Sequence, residues 1–207
     1  AGQPTLMQQN AAAFNGDVGL TSHLFPKENC TAKQTICDEL PNGGAPEVSQ
    51  NILDFVEFYS QHLAVPIRRN VDDPQVQLGQ KIFASTGCES CHKTNVKTAK
   101  RAELPALSEQ EIHPYTDLLL HDMGEGLADN RPEYLANGRE WRTPPLWGLG
   151  LSKESQGGIY YLMHDGRAMS IESAILLHGG EASNSRTMYT QLTQTERDQL
   201  ISFLESL

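Results

Sequence analysis

The chain is short of several things, and each shortage removes a class of function. Lys and Arg number 16 against 26 Asp and Glu, a formal net charge of −10. Such a chain has no basic footprint for phosphates, which excludes nucleic-acid binding. The acidic balance suits a basic partner such as a small electron carrier, although solubility alone accounts for it equally well. No apolar run reaches the roughly 18 residues that a membrane-spanning helix needs. Hydrophobic residues make up 38% and aromatics 7% of the 207 residues. That is enough for one domain, or one domain with an extension, having a modest core and much loop. The 17 Gly and 11 Pro agree with a loop-rich chain. No internal repeat and no strand-rich segment stands out, so the expected class is all-α. There are four cysteines and no second C-x-x-C, so a closed zinc site lacks half its ligands.

What is present centres on Cys88-Glu89-Ser90-Cys91-His92. C-x-x-C-H is the attachment signature of a c-type haem. The two thiols add to the porphyrin vinyl groups, and the adjacent histidine reaches the iron as proximal ligand. Two spacer residues put both sulfurs on one side of a helical turn. A thioredoxin-like C-x-x-C would need a βαβ context, and none is visible. One covalent haem c is therefore expected, with Cys88 and Cys91 as anchors and His92 on the iron. In bacteria this haem is attached outside the cytoplasm, so a periplasmic or secreted protein is expected. The chain begins at Ala1 without Met or a signal-peptide pattern and reads as a processed or truncated product. The other cysteines, Cys30 and Cys37, can close a local disulfide in such a compartment; the alternative is two free thiols.

Residues 1–45 lack sustained periodicity and carry turn chemistry in NGDVG, FPKEN and PNGGAP. They are expected to form an extended arm packed on a haem domain spanning 46–207. A helix is expected over 46–65, with Ile52, Phe55, Val56, Tyr59 and Leu63 as its apolar face and Pro66 as its stop. Asp72-Asp73-Pro74 starts a second helix reaching about Ala84, with Val76, Gly79, Ile82 and Phe83 inward. Gly79 and Phe83 permit a close helix crossing. Prolines at 105, 114, 132, 144 and 145 break residues 93–150 into loops and short helices. Within them, Trp141, Arg142 and Trp147 lie on a stiff stretch suited to walling a flat cofactor, though both tryptophans could equally be ordinary core. Ser170 caps a short helix over about 171–178, ended by Gly179-Gly180. Thr193-Gln194-Thr195-Glu196 is a capping box opening a C-terminal helix. Its apolar face is Leu200, Ile201, Phe203, Leu204 and Leu207. Helix, haem motif, loops, short helix and last helix follow the layout of a class I cytochrome c domain.

The sixth iron position has many candidates: His113, His121, Met123, Met163, His164, Met169, His178 and Met188. GIYYLMHDGRAMSIESAILLHGGEA, EWRTPPLWGLG and HPYTDLLLHDMGEGLAD together resemble the C-terminal haem domain of bacterial di-haem oxidoreductases. These are described as thiol oxidoreductases and are related to di-haem cytochrome c peroxidases and MauG. The resemblance runs from Gln3 to Leu207. In the related peroxidases a TPSLRN-like stretch precedes a PYFHDG turn, and an axial methionine ends the helix that follows. Thr143-Pro144-Pro145-Leu146 matches the first and His164-Asp165-Gly166 the second. His178 then falls where the methionine would be, which implies His92/His178 ligation. It ends the apolar run Ala174, Ile175, Leu176 and Leu177, a rigid mount over a hydrophobic cleft. Met123 is the next candidate.

His113, Asp117 and His121 recur every four residues and would share a helix face, as metal ligands can, but Pro114 cuts such a helix short. His121-Asp122 could serve acid–base chemistry in peroxide handling. Hydrogen bonds that pin a loop are the plainer reading. Arg139, Arg142 and Arg167 could hold haem propionates. The family carries two C-x-x-C-H motifs and this chain one, so a second haem domain is expected before Ala1. No catalytic residue is assigned. The expected function is a low-spin electron-transfer module with a redox partner, the relay half of a di-haem oxidoreductase. The alternative is a peroxidase-like enzyme acting on a small substrate at an open iron site.

Overall fold

The protein is described by a computed structural model covering residues 2–207. It divides into two compact units, Ala1–Ala64 and Val65–Leu207. Each has its own core.

The first unit carries two helices. Thr5 caps helix α1, Leu6–Ala13, by accepting the Gln8 N–H, and one wider helical turn follows over Phe14–Val18. Helix α2 spans Gln50–Gln61. Buried Ala11, Val48 and Leu53 pack with Met7, Phe14, Leu20 and Phe25. The buried α2 residue is therefore Leu53, whereas Ile52, Phe55, Tyr59 and Leu63 are exposed. Periodicity found the helix but not its inward side. The Glu47 carboxylate accepts from the Thr21 N–H (2.9 Å), the Thr21 hydroxyl (3.0 Å) and the Gly43 N–H (2.8 Å), stitching loop to loop. Cys30 and Cys37 form a disulfide, as expected.

The second unit is built on helix α3, Pro74–Ser85, crossing the C-terminal helix α7, Gln194–Ser206. Both start as the sequence predicts. Asp73 accepts the Gln75 N–H with Pro74 in the first turn, and Thr193 and Glu196 form a reciprocal capping box. Val76 and Phe83 meet Leu200, Phe203, Leu204 and Leu207, joined by Tyr115, Tyr160, Ile171 and Tyr189. At the crossing, a Cβ on Gly79 would stand 2.0 Å from the Gln199 carbonyl oxygen, so only glycine fits. The end of α7 is satisfied from outside the helix. The Arg69 N–H donates to the Ser206 carbonyl and the Gly148 N–H to that of Leu207, both at 2.8 Å. The Arg69 guanidinium donates to the Glu205 carbonyl.

The all-α expectation holds in part. The fold is mainly helical, but four short strands pair antiparallel among the described residues. Strand β1, Val96–Lys97, pairs with β2, Glu111–Ile112. Strand β3, Leu120–Asp122, pairs with β4, Glu140–Arg142, setting His121 opposite Trp141. Prolines keep these segments from helix, and extended segments side by side satisfy each other's backbone. Helix α4, Leu149–Ser155, precedes α5, Ile171–Leu177, which Ser170 caps with Ser173 as reciprocal partner. Helix α6, Ser183–Gln191, completes the set. No helix among the described residues is long and apolar enough to cross a membrane.

Candidate functional site

The C-x-x-C-H motif lies directly after α3. Gly87, at φ 77°, turns the chain, and Cys88–Ser90 form one tight helical turn. The Ser90 hydroxyl donates to the Gly87 carbonyl (2.7 Å), and the His92 N–H donates to the Cys88 carbonyl (3.0 Å). Both cysteines are free thiols and half-buried. Burial pushes the Cys88 thiol up, against the hydrogen bond from Thr86.

The loop after the motif holds its histidine. The Thr116 N–H donates to the Lys93 carbonyl (3.2 Å) and its hydroxyl to the Thr143 carbonyl (2.7 Å). This fixes Tyr115, whose carbonyl accepts the His92 Nδ1–H at 2.9 Å. The other ring nitrogen, Nε2, is left free of protein partners in that tautomer. Burial pulls the imidazole down to about 4, with the Tyr115 hydrogen bond opposing and the nearby His178 adding to the drop. His178 ends α5 in the same way: its Nδ1–H donates to the Ala174 carbonyl at 2.8 Å. Burial lowers this histidine too. The helix C-terminus therefore does not keep it protonated. Two thiols on one turn and two half-buried neutral imidazoles, each with Nδ1 occupied, are a donor set that fits a covalent haem.

Other predicted residues fall differently. His113 does not join Asp117 and His121; its Nδ1 meets the Asn95 Oδ1 (2.6 Å) and the Thr94 carbonyl (3.1 Å). Residues 113–119 run as loop into β3, in keeping with Pro114, so no helix face gathers the three. His121 turns away from Asp122 as well. Its Nε2 meets the Asp117 Oδ2 (3.0 Å) and its Nδ1 the Glu181 Oε2 (2.8 Å). The hydrogen bond to Glu181 leads in raising the His121 pKa, burial opposes, and Asp117 reinforces the rise. Burial works to raise Asp117, but the Leu119 N–H and His121 outweigh it and hold the carboxyl low. The Cys91 sulfur, the Asp117 carboxylate and the His121 ring present donor atoms within 4.8 Å of one another. Porphyrin attachment would turn the Cys91 thiol into a neutral thioether, a weaker metal ligand than a thiolate, so the two uses of this sulfur compete.

Trp141 is half-buried on β4. Its Nε1–H donates to the Leu127 carbonyl (3.0 Å), and its ring stacks on His164 at 3.6 Å and 8°. Trp147 is half-buried and Arg142 exposed. Arg139 is committed to Asp122 and Glu125, each at 3.0 Å. Arg167 is committed to Asp165 (2.6 Å) and the Gly126 carbonyl (2.8 Å). Neither of these two arginines is free for a propionate. Met169 is 66% exposed and poorly placed as a buried ligand. Glu181 joins the site although its one mark in the sequence is its place three residues beyond His178.

Residues 1–207 match the family described as "Di-haem oxidoreductase, putative peroxidase". No curated protein matches the chain. Among solved structures, the chain is similar to Kuenenia stuttgartiensis hydrazine synthase pressurized with 20 bar xenon, with 20% identity and a TM-score of 0.50. The match covers 79% of this chain and 57% of that one, so the chain spans little more than half the relative's length. At this identity the likeness speaks for the fold alone.

Proposed function

The chain belongs to the di-haem oxidoreductase family, and on that premise we propose that it is a c-type cytochrome module that relays electrons through one covalent haem. The haem supplies one-electron chemistry between Fe(III) and Fe(II). Cys88 and Cys91 would anchor it, each thiol adding across one vinyl group to give a thioether. His92 and His178 would hold the iron. Trp141, Arg142 and Trp147 wall the cofactor. The helix crossing of α3 and α7, with the motif at the end of α3, supports a class I cytochrome c arrangement. One motif in a di-haem family supports a partner haem domain that completes the enzyme. The net charge of −10 supports a basic redox partner. Haem attachment and the Cys30–Cys37 disulfide support a periplasmic or secreted location.

One observation carries this reading: both half-buried imidazoles give Nδ1–H to a backbone carbonyl, Tyr115 for His92 and Ala174 for His178. A second histidine built like the first favours a six-coordinate wire over an open reaction centre. The peroxidase-like alternative draws on the family description and requires His178 to leave the iron. The test is an optical, near-infrared and EPR spectrum of the oxidised protein, with the intact mass of the unfolded chain. We expect the added mass of one haem and a low-spin bis-histidine signature. His178→Ala should give high-spin iron that binds cyanide. High-spin iron in the unaltered protein, or an unchanged spectrum in the variant, overturns the assignment.

A further inference from the structure

His121 sits between two carboxylates, 2.8 Å from Glu181 Oε2 and 3.0 Å from Asp117 Oδ2. An ionised carboxylate can only accept, so both ring nitrogens must donate, and the ring must be an imidazolium. The two carboxylates come from places that matter. Asp117 lies two residues beyond Tyr115, whose carbonyl orients His92. Glu181 lies three residues beyond His178, and its other oxygen accepts the Asp122 N–H at 3.0 Å. The backbone is locked at the same place. Gly180 has φ 50°, and a Cβ there would stand 2.0 Å from the Asp122 carbonyl oxygen. The strand bearing His121 is thus pressed against the turn that ends α5.

We propose that His121 is a positioning residue whose imidazolium joins the loop that orients His92 to the turn that follows His178, and so keeps His178 over the iron. The inference rests on the His92/His178 ligation proposed above. The groups facing His121 are Asp117 from its own loop, Glu181 from the turn after α5 and the Cys91 sulfur, 3.9 Å from Nδ1. Arg139, just before the paired strand, is held by Asp122 and Glu125. The side chain of Asp117 is 10% exposed and that of Glu181 56%, so the Glu181 end is the one that yields first. When the ring loses a proton it can donate to one carboxylate only, and the tie opens. His178 is then free to leave, which gives the iron a displaceable ligand.

The test uses the full haem-loaded chain with His121→Gln and Glu181→Gln. Two quantities are read: the rate of cyanide binding to ferric iron, and amide hydrogen exchange over residues 118–124 and 178–182. Loss of one charge-assisted hydrogen bond should speed cyanide binding about tenfold and exchange in both segments by a similar factor. In the unaltered protein the cyanide rate should step upward as pH rises above the ordinary histidine range, and His121→Gln should abolish the step. Unchanged exchange in both variants, or a pH step that persists in His121→Gln, overturns the proposal. Should His178→Ala leave the spectrum unchanged, the ligation itself fails; exchange over 178–182 then still decides whether His121 ties the segments. Glu181→Gln changes a solvent-facing side chain, so its result does not depend on folding.

Discussion

Glu47 condenses the first unit's polar order into one carboxylate. Two backbone N–H groups and one hydroxyl converge on it, the Thr21 N–H leading, and they hold its carboxyl below the usual range. A carboxyl lowered on folding adds stability above its unfolded pKa and loses it as pH falls through the folded one. The first unit should therefore loosen on acidification below the ordinary carboxylate range. Glu47→Gln should weaken it at neutral pH and flatten that acid response. Hydrogen exchange at Thr21 and Gly43 reads both effects; a variant with unaltered protection would show that the three donors find water at no cost. His121 is the contrasting residue. Its carboxylate partners raise its pKa, so its tie is present at low pH and lost on the alkaline side.

Among the elements, α3 and α7 govern the second unit. A methyl at Gly79 would collide with the Gln199 carbonyl and stand 2.7 Å from the Phe203 Cβ. Helix propensity favours alanine there by about 1 kcal/mol, whereas overpacking of this kind costs up to about 3 kcal/mol. The collision wins, and Gly79→Ala should destabilise the protein by roughly 2 kcal/mol in denaturant unfolding. Gly126→Ala, with nothing within 4 Å of the added carbon, serves as control. Equal midpoints for the two would show that the helices slide apart freely.

Both of these helices were legible because their starts are written in local chemistry: Asp73-Pro74, and Thr193 with Glu196. So was the glycine that lets them cross. The four strands were not legible. Each has two or three residues, too few for any period, and they exist because loops meet. Helix α6 buries only Tyr189 and shows no apolar stripe, and α1 lies in a segment dominated by turn residues. In α2 the apolar residues outnumber what the small core can cover, so the periodic face and the buried side part company. At the site, Cys88, Cys91 and His92 are local and were readable. The partnership of His121 with Glu181 spans sixty residues and depends on a hairpin that no spacing announces.

The whole molecule presents a net charge of −10 to any partner. Association with a basic electron carrier should be steered by that field and weakened by salt. Between about 0.01 and 0.15 M ionic strength the screening length drops from about 30 to 8 Å, and the second-order electron-transfer rate should fall about tenfold. Stopped-flow mixing with a small cationic cytochrome measures it, and a salt-independent rate would discard a basic partner.

The acceptors that orient the two histidines are peptide carbonyls, of Tyr115 and Ala174. Every side chain can be exchanged by mutation, but a peptide oxygen cannot. Both bonds are therefore inherited with the chain path and survive any substitution that leaves that path alone. A carboxylate in the same place would give the ring more anionic character and could be tuned or lost in one step. Mutational drift can adjust this site only by moving backbone, and the close-packed glycines around it leave little room to move.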